Sequence, residues 1–240
     1  MLNLTKPEIT EKVKLSLTKR GVPSPKACNV KAFLDVSGSF KDEWEDGIVA
    51  KLFSRVLGTA SSFDDDGDVP LYLFHNSVME RGIVNFKNLP DSPSQFAQWL
   101  WKAAGTFQWG GTKFAPIFRA LLPTEQVVNT GGFFGMFGKK QVVQAQSMVE
   151  AAADPMVVYI LTDGDADDYS EARSLAKQLE DKRIYVMFVN VSQMATCARR
   201  LSDEFDHVGH IYFPNLDRVS DEEIIGALMT EEFLRWRDKY

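Results

Sequence analysis

The chain has 240 residues, 45% of them hydrophobic, and a formal net charge of −6 at neutral pH. This length suits one α/β domain with insertions, and the acidic balance argues against nucleic acid as the main partner, because nucleic-acid-binding domains carry basic surfaces. The two cysteines, Cys28 and Cys197, are too few for a disulfide framework and are expected to be buried thiols.

The first 27 residues are predicted to form a polar, basic arm with an edge strand and a linker. Val13, Leu15 and Leu17 alternate with polar residues, which is the period of a half-buried strand. No run in the sequence approaches the ~18 apolar residues of a membrane span, and the beginning lacks an apolar signal core. We therefore expect a cytoplasmic protein.

A short apolar run predicts a strand over residues 29–35, followed by the loop Asp35-Val36-Ser37-Gly38-Ser39 and a helix over residues 41–60. In an open α/β sheet such a loop lies at the carboxyl edge, where ligands bind. The alternation of Asp35, Ser37 and Ser39 points three oxygens the same way, and Gly38 permits a tight turn. Oxygen ligands of this kind suit Mg²⁺. The acidic residues that open the helix are expected to compensate its dipole rather than bind metal.

The next segment contains an acidic turn, residues 64–68, whose spacing does not fit an EF-hand and which is expected to be solvated. A strand over residues 69–74 ends at His75, which is more often a polar strand end than a metal ligand. An antiparallel edge strand is predicted over residues 83–86 and a helix over residues 94–104. Phe107 and Trp109 then flank the expected metal face, either as recognition residues or as buried ones.

Gly110-Gly111-Thr112 precedes a helix that is predicted to begin near residue 113, and it supplies a further hydroxyl. An insertion, residues 123–154, includes a glycine-rich loop with Phe133, Phe134, Met136 and Phe137 and then a helix predicted from residue 141 to 153. Four apolar side chains in one loop favour burial on the domain or contact with a partner. A membrane contact by so short a loop would be weak.

A second buried strand, residues 157–161, ends in Thr162-Asp163-Gly164-Asp165. Asp165, Asp167 and Asp168 are expected to be solvated loop residues, although they could raise the cation affinity of the site. Helices and strands then alternate to the end of the chain, with helices over 170–181, 194–205 and 221–237 and strands over 183–190 and 210–213. This order predicts a doubly wound, Rossmann-like α/β sheet that is mostly parallel, flanked by helices, with one antiparallel edge strand.

Three separated motifs, in this order, resemble the von Willebrand factor A (vWA) domain over residues 28–225, with residues 226–240 completing a C-terminal helix. The motifs are the Asp-x-Ser-x-Ser loop, Gly-Gly-Thr and Thr-Asp-Gly. The resemblance implies a metal-ion-dependent adhesion site (MIDAS) that binds Mg²⁺, with Mn²⁺ or Ca²⁺ as alternatives, through Asp35, Ser37, Ser39, Thr112 and Asp163. It also implies a protein partner that offers an acidic side chain to the metal.

The N-terminal arm, and the acidic turn before a strand ending in Phe74, resemble the TerF-like vWA proteins of bacterial tellurium resistance. That resemblance implies a role in tellurite or chemical-stress resistance, with other Ter-type proteins as partners. The alternative is an adaptor in an unrelated assembly, such as an ATPase co-factor or a phage-encoded factor. A metal-dependent phosphohydrolase is disfavoured, because Ser37 stands where haloacid-dehalogenase-type phosphatases have a second Asp. No phosphate loop or nucleophile elbow is present, so the protein is expected not to be an enzyme.

Overall fold

A computed structural model of the chain describes residues 5–22, 27–64, 66–105, 109–122, 155–191 and 194–240, together with the backbone of 124–129 and 140–145. Six of the described strands form the main sheet in the order β3-β2-β1-β6-β7-β8, and β4 and β5 form a separate two-stranded sheet. All neighbours in the main sheet are parallel except β2 and β3, which are antiparallel. The strands are β1 (Asn29–Asp35), β2 (Asp68–Phe74), β3 (Val78–Asn85), β4 (Thr124–Asn129), β5 (Lys140–Ala145), β6 (Met156–Thr162), β7 (Ile184–Val191) and β8 (Val208–Phe213). The predicted fold class, including the antiparallel edge strand, is confirmed.

Helices cover both faces of this sheet. They are α1 (Lys6–Lys19), α2 (Lys41–Glu45), α3 (Ile48–Ala60), α4 (Pro93–Ala104), α5 (Ala115–Leu121), α6 (Tyr169–Gln178), α7 (Thr196–Glu204), α8 (Asp221–Ala227) and α9 (Glu231–Lys239). One core lies between the sheet and α1, α3, α4, α8 and α9, and the other lies under α5, α6 and α7. Every residue of β6 and β7 is buried, as expected for central strands covered on both faces. No helix in the described ranges is long and apolar enough to cross a membrane.

Two predicted helices are each divided in the structure. The helix expected over residues 41–60 breaks at Gly47, which has a φ of +76°, a left-handed conformation that glycine adopts without strain. The helix expected over residues 221–237 ends as α8 and begins again as α9, where the Thr230 hydroxyl accepts a hydrogen bond from the Phe233 N–H. In both places, therefore, a residue at the break interrupts the helix, although the apolar residues continue at helical spacing across it.

The predicted strand in the N-terminal arm is wrong, because residues 6–19 form α1. Ile9, Val13 and Leu17 are buried, whereas Leu15 is 44% exposed. Val13 and Leu17 are four residues apart, so they lie on one face in a helix and also in a strand. Leu15 would share that face in a strand but not in a helix, so its exposure distinguishes the two. The Glu8 carboxylate also accepts hydrogen bonds from the N–H and the hydroxyl of Thr5, which caps the first turn.

Helix α1 is held closely against the domain. A Cβ added to Gly58 of α3 would lie 2.2 Å from Ile9 Cγ2, so the two helices touch where α3 has no side chain. The Lys6 ammonium donates to the Leu89 carbonyl at 2.6 Å, and the Arg20 guanidinium donates to the Gly226 carbonyl at 3.0 Å. The arm is therefore packed as part of the core rather than extended along a sheet edge.

The insertion departs from its prediction where the structure describes it. Residues 140–145 form β5, which pairs antiparallel with β4, so the helix predicted from residue 141 to 153 is wrong over those residues. Adjacent β-branched valines, Val142 and Val143, favour a strand over a helix at this point. The loop with Phe133, Phe134 and Phe137, and also Phe107, lie outside the described residues.

Candidate metal centre

Three loops meet at the carboxyl edge of the sheet. Strands β1 and β6 are neighbours, with Leu34 opposite Leu161, so the loops that follow them begin side by side. Ser37 forms an isolated parallel bridge with Gly110, and the Gly38 N–H donates to the Gly110 carbonyl at 2.9 Å. The fold thus brings together the Asp-x-Ser-x-Ser, Gly-Gly-Thr and Thr-Asp-Gly segments, as the order of strands and helices predicted.

Asp35 is fixed by hydrogen bonds on both carboxyl oxygens. Its side chain is fully buried, and Oδ1 accepts from the Ser37 N–H at 2.7 Å while Oδ2 accepts from the Thr162 hydroxyl at 2.5 Å. The Asp35 carbonyl accepts from the indole N–H of Trp44 at 2.8 Å. The carboxyl group is therefore held in one orientation by the loop and by β6, and α2 holds the backbone carbonyl of the same residue.

A chain of side-chain oxygens leads from this loop to Asp163. Ser37 Oγ lies 3.2 Å from Ser39 Oγ, and the Ser39 hydroxyl donates to Asp163 Oδ1 at 3.1 Å. Ser37 and Asp163 are 2% and 3% exposed, whereas Ser39 is exposed. The arrangement is consequently closed on the protein side and open to a ligand at Ser39.

Thr112 joins the other predicted residues through its loop. It is buried, it follows Gly110 by two residues, and its carbonyl accepts from the Asp167 N–H at 3.3 Å. A Cβ at Gly110 would lie 3.0 Å from the His75 ring, so the absence of a side chain there allows the close approach. His75 itself accepts the Asn76 N–H on Nδ1 and the Lys113 N–H on its carbonyl, which agrees with its expected place at a strand end.

The buried carboxyl groups are electrostatically unfavourable as anions. Burial raises the pKa of Asp35 to about 7, with the negative charge of Asp163 adding to the effect. Burial likewise raises the pKa of Asp163 to about 6, and the nearby Glu43 carboxylate contributes. A positive charge placed between these groups would stabilise their ionised forms.

The chemistry of the oxygen set fits a hard divalent cation. Within the described residues, no three or more His, Cys, Asp or Glu side chains are grouped so that they could hold a metal ion. A cation at this edge would therefore need the serine and threonine hydroxyls as ligands besides the two carboxyl groups. Oxygen ligands of both kinds are those that Mg²⁺ and Ca²⁺ take in proteins.

Two of the loop aspartates do more than the sequence predicted. The two carboxyl oxygens of Asp168 accept the Phe114 and Ala115 N–H groups at 3.0 and 2.8 Å, which fixes the start of α5 just after Thr112. Asp165 Oδ1 accepts the Cys197 N–H at 2.6 Å. Asp165 is exposed, as expected, and Asp168 is half-buried, but both also tie the loop after β6 to neighbouring helices. Their spacing in the sequence carries no signal for such long-range hydrogen bonds.

Comparisons with known proteins agree with this architecture. A family model, vWA-TerF-like, described as the vWA found in the TerF C terminus, matches residues 27–240. The uncharacterized protein YcbR of Bacillus subtilis (strain 168) is 22% identical over 228 residues, covering 91% of this chain and 81% of YcbR. The solved structure of a von Willebrand factor type A protein from Catenulispora acidiphila has a TM-score of 0.51 and 11% identity, covering 86% of this chain and 43% of that one.

A further solved structure shows proximal thread matrix protein 1 from the mussel byssus with a zinc-occupied MIDAS motif. It has a TM-score of 0.49 and 12% identity, covering 88% of this chain and 48% of that protein. The chain therefore spans less than half the length of both solved structures.

Proposed function

The chain belongs to the vWA-TerF-like family, and from that membership we propose that it is a non-enzymatic, metal-dependent protein-binding module. Domains with this fold are generally protein-interaction modules rather than enzymes. The proposed metal ligands are Asp35, Ser37, Ser39, Thr112 and Asp163, acting directly or through water. The proposed ion is Mg²⁺, with Mn²⁺ or Ca²⁺ as alternatives.

The oxygen chain from Ser37 through Ser39 to Asp163 supports this proposal most directly. The two hydroxyls and the carboxyl oxygen are joined by contacts of 3.2 and 3.1 Å, and the second carboxyl group, Asp35, is fixed beside them. Bringing two buried carboxyl groups to one sheet edge costs stability unless a proton or a cation compensates them. The exposed side of Ser39 is where a ligand from solution would enter.

The composition of the site determines what kind of partner it accepts. Two carboxylates balance the formal charge of a divalent cation, and the three hydroxyls add none. The five protein ligands leave a six-coordinate ion such as Mg²⁺ one position for another ligand. An Asp or Glu side chain of a partner protein supplies that ligand, because carboxylate oxygen matches the preference of a hard cation. The chain's own residues hold the ion. Asp35 is positioned by the hydrogen bonds that its carboxyl accepts from Thr162 and its backbone carbonyl accepts from Trp44.

Isothermal titration calorimetry with Mg²⁺ and Mn²⁺ tests the metal site. Wild-type protein and the control Asp167→Asn, which removes an exposed charge from the same loop, should bind saturably. Asp35→Ala, Ser37→Ala and Ser39→Ala should lose that binding, with unchanged circular dichroism. Ser39→Ala is the decisive variant because its side chain is exposed and its loss should not disturb folding. Retention of full affinity by the three variants would refute the assignment.

We further propose that the protein acts in the cytoplasm in resistance to tellurite or chemical stress, together with other Ter-type proteins. The family match to the vWA of TerF is the support for this role. Affinity purification of the tagged protein from cells exposed to tellurite, with and without EDTA, tests it. Recovery of Ter-type proteins only in the presence of divalent cations is expected. Recovery of an unrelated assembly, such as an ATPase complex, would favour an adaptor role instead.

A further inference from the structure

An open groove lies between the end of α2, the start of α3 and the first half of α4. It has a volume of about 500 Å³. Its walls include Glu45, Asp46 and Ile48 on one side, Ala97 and Gln98 on the other, and Asp217 at one end. The groove is not used by the five proposed metal ligands.

The charged groups of this groove are mainly acidic. Glu45, Asp46 and Asp217 are all exposed, so their carboxylates can meet a ligand from solution. Lys51 also lines the groove, but its ammonium donates to the Leu216 carbonyl at 3.0 Å, and Lys41 pairs with Glu45 at 3.4 Å. The Lys41–Glu45 pair is an exposed pair one helical turn apart, and such pairs are weak and easily exchanged for another cation. The groove therefore favours a positively charged side chain.

Trp101 connects the groove to the metal loop. It is 41% exposed and lies one helical turn beyond Ala97 and Gln98 on α4. Its ring meets the ring of Trp44 edge-on, with centroids 5.9 Å apart, and the Trp44 indole N–H is bound to the Asp35 carbonyl. A partly exposed aromatic ring therefore packs against the residue that is hydrogen-bonded to the metal loop.

We propose that this surface binds a basic side chain, preferably arginine, two or three residues away from the carboxylate that reaches the metal loop. The inference rests on the proposed function, and it adds a second requirement to the partner. Helix α2 has five residues, so the groove lies about 8 Å beyond the metal loop at ~1.5 Å per residue. An extended partner segment covers that distance in about two or three residues. Arginine stacks on an aromatic face and pairs with carboxylates at the same time.

Three synthetic peptides, identical outside one tetrapeptide, provide the test. The tetrapeptides are Asp-Ala-Ala-Arg, Asp-Ala-Ala-Glu and Asn-Ala-Ala-Arg, each titrated into the full chain in millimolar Mg²⁺ at low salt. Binding is measured from the indole N–H signals in ¹H–¹⁵N spectra, which detect millimolar affinities. The Asp/Arg peptide should shift the Trp101 signal and bind about ten-fold more tightly than the Asp/Glu peptide, since like charges oppose docking.

Matched variants separate this inference from the metal site itself. Glu45→Gln combined with Asp46→Asn, and separately Trp101→Ala, should abolish the preference for the Asp/Arg peptide but keep Mg²⁺ binding in calorimetry. Glu11→Gln, an exposed position on α1, should change neither. Equal affinity for the Asp/Arg and Asp/Glu peptides, or no shift of the Trp101 indole signal by the Asp/Arg peptide, would overturn the inference. Neither result would count against the proposed metal site. Equal binding of the Asn/Arg and Asp/Arg peptides would instead count against the carboxylate ligand of the proposed function.

Discussion

Helix α1 offers the sharpest test of how the N-terminal arm folds, because two leucines two residues apart have opposite environments. Leu17 is 1% exposed and Leu15 is 44% exposed. In a strand the two side chains would lie on one face, and truncating either would cost a similar amount. In the helix only Leu17 belongs to the core, so Leu17→Ala and Leu15→Ala should differ strongly in their free energy of unfolding.

The expected loss in the free energy of unfolding follows from how deeply each leucine side chain is buried. Leu17→Ala removes three buried carbon groups, which at ~0.8 kcal/mol each amounts to about 2.4 kcal/mol of lost transfer free energy. The cavity left behind raises the cost to about 3–4 kcal/mol. Leu15→Ala should stay within about 0.5 kcal/mol, as for surface substitutions in general, since leucine and alanine have similar helix propensities.

Urea unfolding followed by circular dichroism measures both variants. The midpoint for Leu17→Ala should fall with an unchanged dependence on urea, and the midpoint for Leu15→Ala should stay close to that of the wild type. Equal destabilisation by the two substitutions would refute the helical packing of the arm.

The contact between Gly58 and Ile9 allows an independent check by a double-mutant cycle. Gly58→Ala places a methyl group 2.2 Å from Ile9 Cγ2, and such overpacking costs about 1–3 kcal/mol, against about 1 kcal/mol gained in helix propensity. In an Ile9→Ala background the clash is gone, so the same substitution should become neutral or stabilising. A cost that is unchanged by Ile9→Ala would show that the two helices do not meet there.

Three further predictions concern other parts of the molecule. Mg²⁺ at one hundred times its Kd should stabilise the wild type by about 2.7 kcal/mol in thermal scans with an EDTA control, and Asp163→Asn, unlike Asp167→Asn, should lose this effect. Burial lowers the pKa of His207, so the unfolded chain binds the proton more readily; stability should be full above the ordinary histidine pKa and fall as the pH drops below it. His207→Gln should flatten that dependence in urea titrations, and an unchanged slope would contradict the assignment. Asp221→Asn should cost about 3–5 kcal/mol because it leaves the buried Arg55 without its ion-pair partner, and restoration of stability by Arg55→Met in the same chain would support this cause.

The sequence predicts the sheet and its functional edge well, because the evidence there is local. Each buried strand is a short apolar run, and each loop of interest directly follows such a run: Asp35 is the last residue of β1, and Asp163 directly follows β6. In a parallel sheet the ends of neighbouring strands must meet at one edge. The adjacency of the Asp35 and Asp163 loops therefore follows from topology alone.

Other features depend on contacts that no local pattern encodes. Val13, Leu15 and Leu17 satisfy a period of two in the sequence, and the exposure of Leu15 and the cap by Glu8 show that the true period is helical. The hydrogen bonds that Asp168 accepts from the N–H groups at the start of α5 join residues more than fifty positions apart. Nothing in the spacing of acidic residues after β6 distinguishes Asp168 from a solvated neighbour.

The packing of α1 affects where this domain can be cut or exchanged. The family match begins at residue 27, yet Ile9, Val13 and Leu17 belong to the same core as the sheet. A recombinant fragment beginning at residue 27 would expose their contact surface, including the side-chain-free site at Gly58, to water. Contiguous apolar surface of this kind promotes self-association. For expression or domain grafting, the folding unit therefore includes α1, which lies before the residue at which the family match begins.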